Sequence, residues 1–511
     1  MRASRLTAVV LGLLPLAPAV WAADATPDQA RVLERQVRDW MTSMVGPSVK
    51  LSDRPVQITP EGDHYNVAVP VGTATGGSQP MLTATARMVD GGKWNIDAIR
   101  FPSPTQFTID LPQPPKEGDK SSIGMAPVVY KVTLKQQSGQ VLYDPSYASP
   151  STLNSSFQGL DIQASGTQVQ QTSHVDRSAT TGTLRPAGAD RVDVVTDGTI
   201  EGYTISSKAG DAEPLKMSMQ RVRITGELTS VSRERAAQIL QAMIQVSAAL
   251  GGAPKAAGGP AVPKLDDKTM RTLLQAMADF ASGMTIDETV DKLAVSYGDF
   301  GGTANQARFG FAAKTEQGII QARMDLGMQG LALPDLPLGD MAVLIPSKIA
   351  LRPVVSGVAM ADLMRIATNS GDGKSPAPAD IAALFNRGGI SAGLESFLID
   401  VAGSSFSGMG KLLFTSPEKF AGTAQVTATN FDLLQQQVAA MPALASAVPV
   451  FIFAKGIGRM VENRMVWDVT YRDGRLMVNN QDLTAMTGAS APPPARANPG
   501  PARPQQPNRT R

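Results

Sequence analysis

Apolar residues recur along most of this chain with a period of two, the spacing typical of β-strands with one buried face. The alternation is cleanest over residues 321–331 and is repeated over residues 423–429. In the first segment the residues on the apolar side are Ala322, Met324, Leu326 and Met328. Similar short alternating segments, separated by turn residues, fill most of the chain. Residues 128–135 and 140–144 are predicted to form a hairpin, and residues 167–175 and 179–184 are predicted to be two separate strands. The pattern therefore predicts a β-dominated protein.

One predicted strand, residues 215–228, is unusually long. At about 3.3 Å per residue it would extend roughly 45 Å. Its apolar phase also changes along the way. Met217 and Met219 fall on one face, whereas Val222 and Ile224 fall on the other. An inserted residue restores such a phase, so the sequence predicts a β-bulge in this strand.

Apolar residues at helical spacing predict a smaller number of helices, at residues 26–44, 232–250, 359–368 and 430–440. Several follow directly after a predicted strand, which suggests hairpin-plus-helix units on one sheet. We therefore predict an α+β, β-dominated fold. It would be an elongated curved antiparallel sheet with helices packed on one side, plus a small N-terminal α+β unit.

The N-terminus has the pattern of a secretory signal. Arg2 and Arg5 precede the apolar stretch 6–16, and small residues follow up to Ala22. The apolar stretch is too short to span a bilayer, which needs about 20 residues. We predict a cleaved signal peptide at residues 1–22 and a periplasmic mature protein.

Changes in composition predict four further regions. A small α+β unit covers residues 23–111, and a β-meander plus helix covers residues 128–250. A β-rich region with helices follows at residues 265–487. The last segment, residues 488–511, is rich in proline and arginine and is predicted to be disordered.

Composition removes many function classes. The 511 residues include 47 Lys and Arg against 45 Asp and Glu, a net charge of +2 that does not favour nucleic acid as a partner. The chain has no cysteine and only two histidines, which excludes thiol catalysis, disulfides and zinc sites made of three histidines. No nucleotide or metal motif is present, so we expect no cofactor and no enzymatic activity.

The remaining motifs that could carry chemistry are isolated. Ser416 and Lys419 have the S-x-x-K spacing of an acylating serine, but the partner motifs of that enzyme class are absent. His64 and His174 lie in predicted strands, and no nucleophile elbow accompanies them. We interpret the first pair as chance and the histidines as ordinary strand residues.

Two pairs of adjacent acids, Asp266-Asp267 and Asp287-Glu288, could be interpreted as the carboxylates of a glycoside hydrolase. Such carboxylates must meet across a cleft, and helix caps and turns are the simpler interpretation. A hydrolase using clustered carboxylates is therefore the least favoured hypothesis.

The 23 methionines suggest an apolar ligand site, because methionine adapts to variable apolar groups such as acyl chains. Ordinary core packing beneath the helices is the alternative. The apolar stretch 443–454 is interpreted as a buried helix, with a lid or membrane-touching helix as the alternative. A predicted apolar groove would include Met217, Met219, Met324, Leu326, Met328, Phe451 and Phe453.

The C-terminal third carries turn glycines and apolar alternation in a recognisable order. These residues are Gly408-Met409-Gly410, Gly422, Val426, Asn430-Phe431-Asp432 and Asp473-Gly474. Over residues 298–479, and more weakly over 157–250, the chain resembles a domain-of-unknown-function family of alphaproteobacterial exported proteins. It resembles YdgA-like and AsmA-like envelope proteins more loosely.

This resemblance implies a curved antiparallel sheet with helices on one side, and the AsmA-like members imply lipid handling between membranes. The chain departs from AsmA-like proteins because it lacks a clear membrane anchor. No catalytic residue carries over from these families.

Two functional hypotheses follow. The first is an exported, non-enzymatic protein that binds or carries a lipid or another apolar ligand in a groove of its sheet. The second is a structural or protein-interaction component of the cell envelope whose core is fully covered by its own helices. The expected partners are accordingly a lipid or membrane surface, or envelope proteins.

Overall fold

The computed structural model describes most of the chain between residues 25 and 484. The described residues are 25–45, 56–70, 81–112, 125–144, 149–166, 169–210, 212–236, 238–239, 273, 275–334, 336–369 and 375–484. The predicted signal segment 1–22, the acid pair at 266–267 and the predicted tail 488–511 lie outside these ranges.

Within the described ranges, twenty-one strands form one antiparallel sheet. The first half comprises β1 (Gln57–Glu61), β2 (His64–Pro70), β3 (Met81–Val89), β4 (Lys93–Arg100), β5 (Thr105–Pro112), β6 (Met125–Asp144), β7 (Ser149–Gly166), β8 (Val169–Pro186), β9 (Arg191–Ala209) and β10 (Leu215–Ser232). The second half comprises β11 (Gly283–Tyr297), β12 (Phe300–Glu316), β13 (Ile319–Gln329), β14 (Lys348–Ala359), β15 (Ile390–Val401), β16 (Ser404–Ser416), β17 (Lys419–Thr429), β18 (Arg459–Val461), β19 (Arg464–Arg472), β20 (Arg475–Val478) and β21 (Gln481–Asp482).

The described residues form fewer helices than strands. Five α-helices have complete described bounds: α1 (Pro27–Val45), α2 (Met360–Asn369), α3 (Pro378–Ala383), α4 (Phe431–Ala439) and α5 (Val448–Ile457). Residues 233–236 and 275–278 are also helical. The α+β, β-dominated class predicted from the sequence is therefore confirmed.

Strand order in the sheet follows the chain almost throughout. Most strands pair with the next one along the sequence, as hairpins joined by short turns require. Two short strands, β5 and β18, depart from this order. Strand β5 shares one edge of β6 with β4, and β18 shares one edge of β19 with β20. At about 4.8 Å between neighbours, the path from β1 to β21 is roughly 85 Å long.

Several strands are twice as long as the alternation predicts. Residues 128–135 and 140–144, which the sequence presents as a hairpin, belong to the single strand β6. Likewise β8 runs unbroken through two separately predicted strands. The hairpin prediction is therefore wrong, and the reason is a change of apolar phase in mid-strand.

This change of phase is shared by neighbouring strands. The row of cross-strand partners through Gln220 of β10 includes Gly159, Gly202, Lys292 and Gly330, all of which have positive φ between 54° and 63°. A left-handed residue interrupts the period of two without adding a residue. Accordingly, β10 keeps one register with β9 and β11 from residue 217 to residue 228, and the bulge predicted there is not found.

A compact apolar cluster closes the N-terminal end of the sheet. Helix α1 places Leu33 over Trp94 and Tyr65, which are 1% and 2% exposed. The two rings meet edge to face with centroids 5.6 Å apart, and Trp94 Nε1 donates a hydrogen bond of 2.8 Å to Gln36 Oε1. This cluster anchors α1, which the helical pattern predicted.

Candidate functional site

One face of the sheet carries two adjacent rows of apolar cross-strand neighbours from β10 to β19. We call this surface the apolar face. The first row is Ile224, Glu288, Phe309, Leu326, Leu351, Phe397, Gly408, Val426 and Trp467. The second row is Val222, Val290, Ala307, Met328, Ile349, Ile399, Phe406, Ala428 and Met465. Directly paired residues share a face, so each row forms a continuous surface. Both rows are apolar except for Glu288 in the first row.

The opposite face of the same strands carries paired charges. Arg308 Nη2 lies 2.6 Å from Asp287 Oδ2, and hydrogen bonding to that carboxylate raises the pKa of Arg308. Asp325 pairs with both Arg323 and Arg352. The two faces thus have opposite character, as the clean alternation of β13 predicted.

At the C-terminal end of the apolar face, described helices pack over the two rows. There Phe431 of α4 packs edge to face on Trp467, with centroids 5.4 Å apart, and the tryptophan is 8% exposed. In the same row, Phe309 remains 40% exposed and Ile224 remains 37% exposed. The central part of the face is therefore in contact with solvent within the part of the chain that is described.

The first depression on this central surface lies between β11 and β14. It has a volume of about 370 Å³ and is bordered by Val290, Phe309, Leu326, Met328 and Ile349. All of these residues belong to the two apolar rows. The depression is open on one side, which suits a ligand that lies along a sheet.

A larger depression, of about 510 Å³, lies near the other ends of the strands, between β7 and β12. Its apolar lining comes from Ile205, Met217 and Val295, which are neighbours in one row. Pro334 forms one rim. The adjacent Leu333 approaches Gly302, the next member of that row, where an added Cβ would come within 2.9 Å. Since Val295 and Val290 lie on the same strand, the two depressions are separated by roughly 16 Å.

The predicted groove residues fall into two groups. Leu326 and Met328 border the smaller depression, and Met217 borders the larger one. Met324 pairs with Phe311 of β12 and lies next to Leu326 on the same face of β13. Met219 pairs with Tyr203 of β9. The structure thus places the five strand residues on one sheet, while their role in binding stays a prediction.

The two predicted phenylalanines lie on α5, at the covered end of the apolar face and away from the two depressions. Phe451 packs on Phe431, with ring centroids 5.8 Å apart, and belongs to the cluster around Trp467. Phe453 is 39% exposed. The structure therefore does not bring these residues to the depressions.

The apolar stretch 443–454 folds as a 3₁₀ turn followed by α5, but it is not a buried helix. Val450 is 65% exposed and Ile452 is 56% exposed, and no residue of α5 is fully buried. One side of α5 packs on Phe431 through Phe451, and the other side faces solvent. The described helices are also too short or too polar to cross a membrane.

Most of the lining of the smaller depression was not predicted from the sequence. Val290 and Phe309 lie in strands whose apolar phase changes near Lys292 and Asn305, which hid their common face. Ile349 lies in β14, whose alternation is weak. Val290, Phe309 and Ile349 could have been predicted from the pairing of their strands in one sheet with β13, whose alternation is clear.

The acid pair Asp287-Glu288 is neither a turn nor a helix cap, because it lies within β11. Asp287 bonds Arg308 on the charged face, whereas Glu288 lies in the first apolar row. Adjacent strand residues point to opposite faces, so these two carboxylates do not converge. Among the residues described, no group of three His, Asp or Glu side chains could hold a metal ion.

His174 lies on the sheet between two carboxylates. Its Nδ1 is 2.7 Å from Asp161 Oδ1 and its Nε2 is 3.0 Å from Asp176 Oδ1. The hydrogen bond to Asp161, followed by that to Asp176, raises the pKa of His174. This arrangement favours the imidazolium and links β7 to β8.

No family model, curated protein or solved structure matches the chain.

Proposed function

We propose that this chain is an exported, non-enzymatic periplasmic protein that binds or carries a lipid or another apolar ligand on the central apolar face of its sheet. The observation that carries the proposal is the exposure of the two apolar rows at the centre of the sheet. Phe309 there is 40% exposed, although it is paired with Leu326 in a continuous apolar row. A contiguous exposed apolar surface is typical of an interaction site.

The shape and composition of the surface support an acyl chain or a similar apolar group. The two depressions have volumes of about 370 Å³ and 510 Å³, within or near the range of small-molecule sites. Met217 and Met328, one in each depression, have flexible thioethers that adapt to chains of different shape. The exposed Val450 and Ile452 of α5 would suit contact with a lipid surface.

The alternative hypothesis, an envelope protein with a fully covered core, places different demands on the fold. Among the described elements, α1 lies against β1, α2 against β14 and α4 against β16. Covering the centre of the apolar face would then require residues outside the described ranges or a partner protein. The resemblance to exported and AsmA-like proteins is compatible with both hypotheses and remains a prediction.

Native mass spectrometry after purification from a bacterial periplasm without detergent tests the proposal. We expect a co-purifying lipid or other apolar molecule at near-unit stoichiometry, which solvent extraction would identify. A ligand-free mass that stays unchanged after incubation with liposomes would refute the proposal.

A matched pair of substitutions locates the ligand. Met328→Asp places a charge in the smaller depression and should lower lipid occupancy about tenfold or more, because an unpaired buried charge is costly. Gln329→Asp introduces the same side chain at the next residue, which is exposed on the opposite face. Equal occupancy in the two variants would show that the ligand lies elsewhere.

A further inference from the structure

Glu288 is the only charged residue in the two apolar rows. Its cross-strand neighbours are Ile224 on β10 and Phe309 on β12. Along β11 its neighbours on the same face are Ile286 and Val290. The carboxylate therefore has apolar side chains on all four sides within the sheet.

Glu288 also borders the smaller depression, together with Leu326 and Met328. The side chain is half-buried and forms no hydrogen bond or ion pair with any residue that the structure describes. Arg308 borders the same depression, but its guanidinium is paired 2.6 Å from Asp287 on the charged face. The carboxylate is thus left without a counter-charge at the position where a ligand would lie.

A carboxylate placed among apolar groups lowers stability unless a partner compensates its lost hydration. Packing alone would favour leucine or valine at this position, as in the rest of the row. A bound cationic group would supply the missing partner through a charge-assisted hydrogen bond.

We infer that the ligand of this face is a cationic amphiphile whose protonated amine pairs with Glu288 while its alkyl chain lies along the apolar rows. This inference rests on the proposed function and specifies the chemistry of its ligand. The alkyl chain would contact Leu326 and Met328 in the smaller depression. Neutral and anionic amphiphiles of the same chain length would bind more weakly.

Binding of three single-chain amphiphiles, each below its micelle concentration, tests the inference. The probes are dodecylammonium, dodecanoate and the neutral monododecanoylglycerol, measured by isothermal titration calorimetry on the full mature chain. We expect dodecylammonium to bind about tenfold more tightly than the neutral probe, with dodecanoate the weakest.

Glu288→Gln keeps the shape of the side chain and removes its charge. We expect it to abolish the preference for dodecylammonium and to leave affinity for the neutral probe unchanged within about twofold. Glu227→Gln makes the same change on β10 at an exposed position of the opposite face and should keep the preference. Glu288→Lys, checked for folding by circular dichroism, should reverse the preference towards dodecanoate.

The outcomes separate this inference from the function on which it rests. Equal affinity for the three probes, or a preference that survives Glu288→Gln, would overturn the inference while leaving apolar binding in place. Failure of all three probes to bind would overturn the proposed function and the inference together.

Discussion

The same two apolar rows pass through two different environments. At β19 the first row ends in Trp467, which is 8% exposed beneath α4 and α5. At β12 the row passes through Phe309, which is 40% exposed. The sequence pattern of the strands is similar in both places, so the difference arises from the helices that follow β17.

The two regions of the sheet are stabilised in different ways. Where helices cover the face, aromatic packing and the hydrogen bond of 2.8 Å from Trp467 Nε1 to the Ala454 carbonyl hold the fold together. At the centre, cross-strand hydrogen bonding and the paired charges of the opposite face must contribute a larger share. An exposed apolar face adds less stability, because burial is what makes apolar surface favourable.

The largest effect should come from removing the aromatic anchor of the covered end. Trp467→Ala should cost about 3–5 kcal/mol locally, whereas Phe309→Ala should cost about 1–2 kcal/mol because its ring is already partly in solvent. Hydrogen–deuterium exchange of peptides from β17–β19 and from β11–β13 would measure each loss in its own region.

Trp467→Phe is the control for the covered end, since it keeps an aromatic ring but removes the hydrogen bond to Ala454. It should cost less than the alanine variant. Equal losses for Trp467→Ala and Phe309→Ala would mean that the central face is covered as well, which would contradict the difference between the two regions.

The distinction between covered and uncovered regions was only partly predictable. The alternation in β13 predicted a strand with one apolar and one charged face. The helical pattern at 430–440 predicted α4. These features are local, since each depends on residues close together in sequence.

The lining of the central depressions depends instead on pairing between strands distant in sequence. Ile349 of β14 reaches Met328 only because the chain returns antiparallel after the turn around residues 339–344. The shared phase change at Gly202 and Lys292 is likewise a property of the whole sheet. Alternation within a single strand could suggest a bulge there but could not show that neighbouring strands change phase together.

A smaller effect should come from the charged face of the uncovered region. Asp325, 17% exposed, pairs with Arg352 and lies 3.3 Å from Arg323 Nε. Asp325→Asn should cost about 1 kcal/mol or less, because both arginines are partly exposed and water screens the pairs. Exchange rates in β13 and β14 would report this loss.

High salt sharpens the same test. The difference between wild type and Asp325→Asn should shrink as ionic strength rises, since salt screens exposed charges. Asp340→Asn, an exposed residue of the adjacent 3₁₀ turn, serves as the control and should have little effect at any salt concentration. A loss that is independent of salt would show that packing, not charge, determines the contribution of Asp325.

The smallest effect should be a pH dependence confined to β7 and β8, which lie outside the two apolar rows. The hydrogen bonds to Asp161 and Asp176 raise the pKa of His174 above its ordinary value of 6.5. Its stabilisation is therefore fully present below about pH 6.5 and is lost as pH rises through the raised pKa of the folded state. All three side chains are at least one-third exposed, so the effect is small.

Nuclear magnetic resonance titration can isolate this contribution, because the chain has only two histidines and His64→Gln assigns their signals. The His174 signal should titrate above pH 6.5, and amide exchange in β7 and β8 should accelerate over the same range. His174→Gln should remove that acceleration, whereas peptides around Trp467 should show none in either protein. A midpoint at or below 6.5 would mean that the two carboxylates do not stabilise the imidazolium. Strands β7 and β8 would then have no pH-dependent support from this contact.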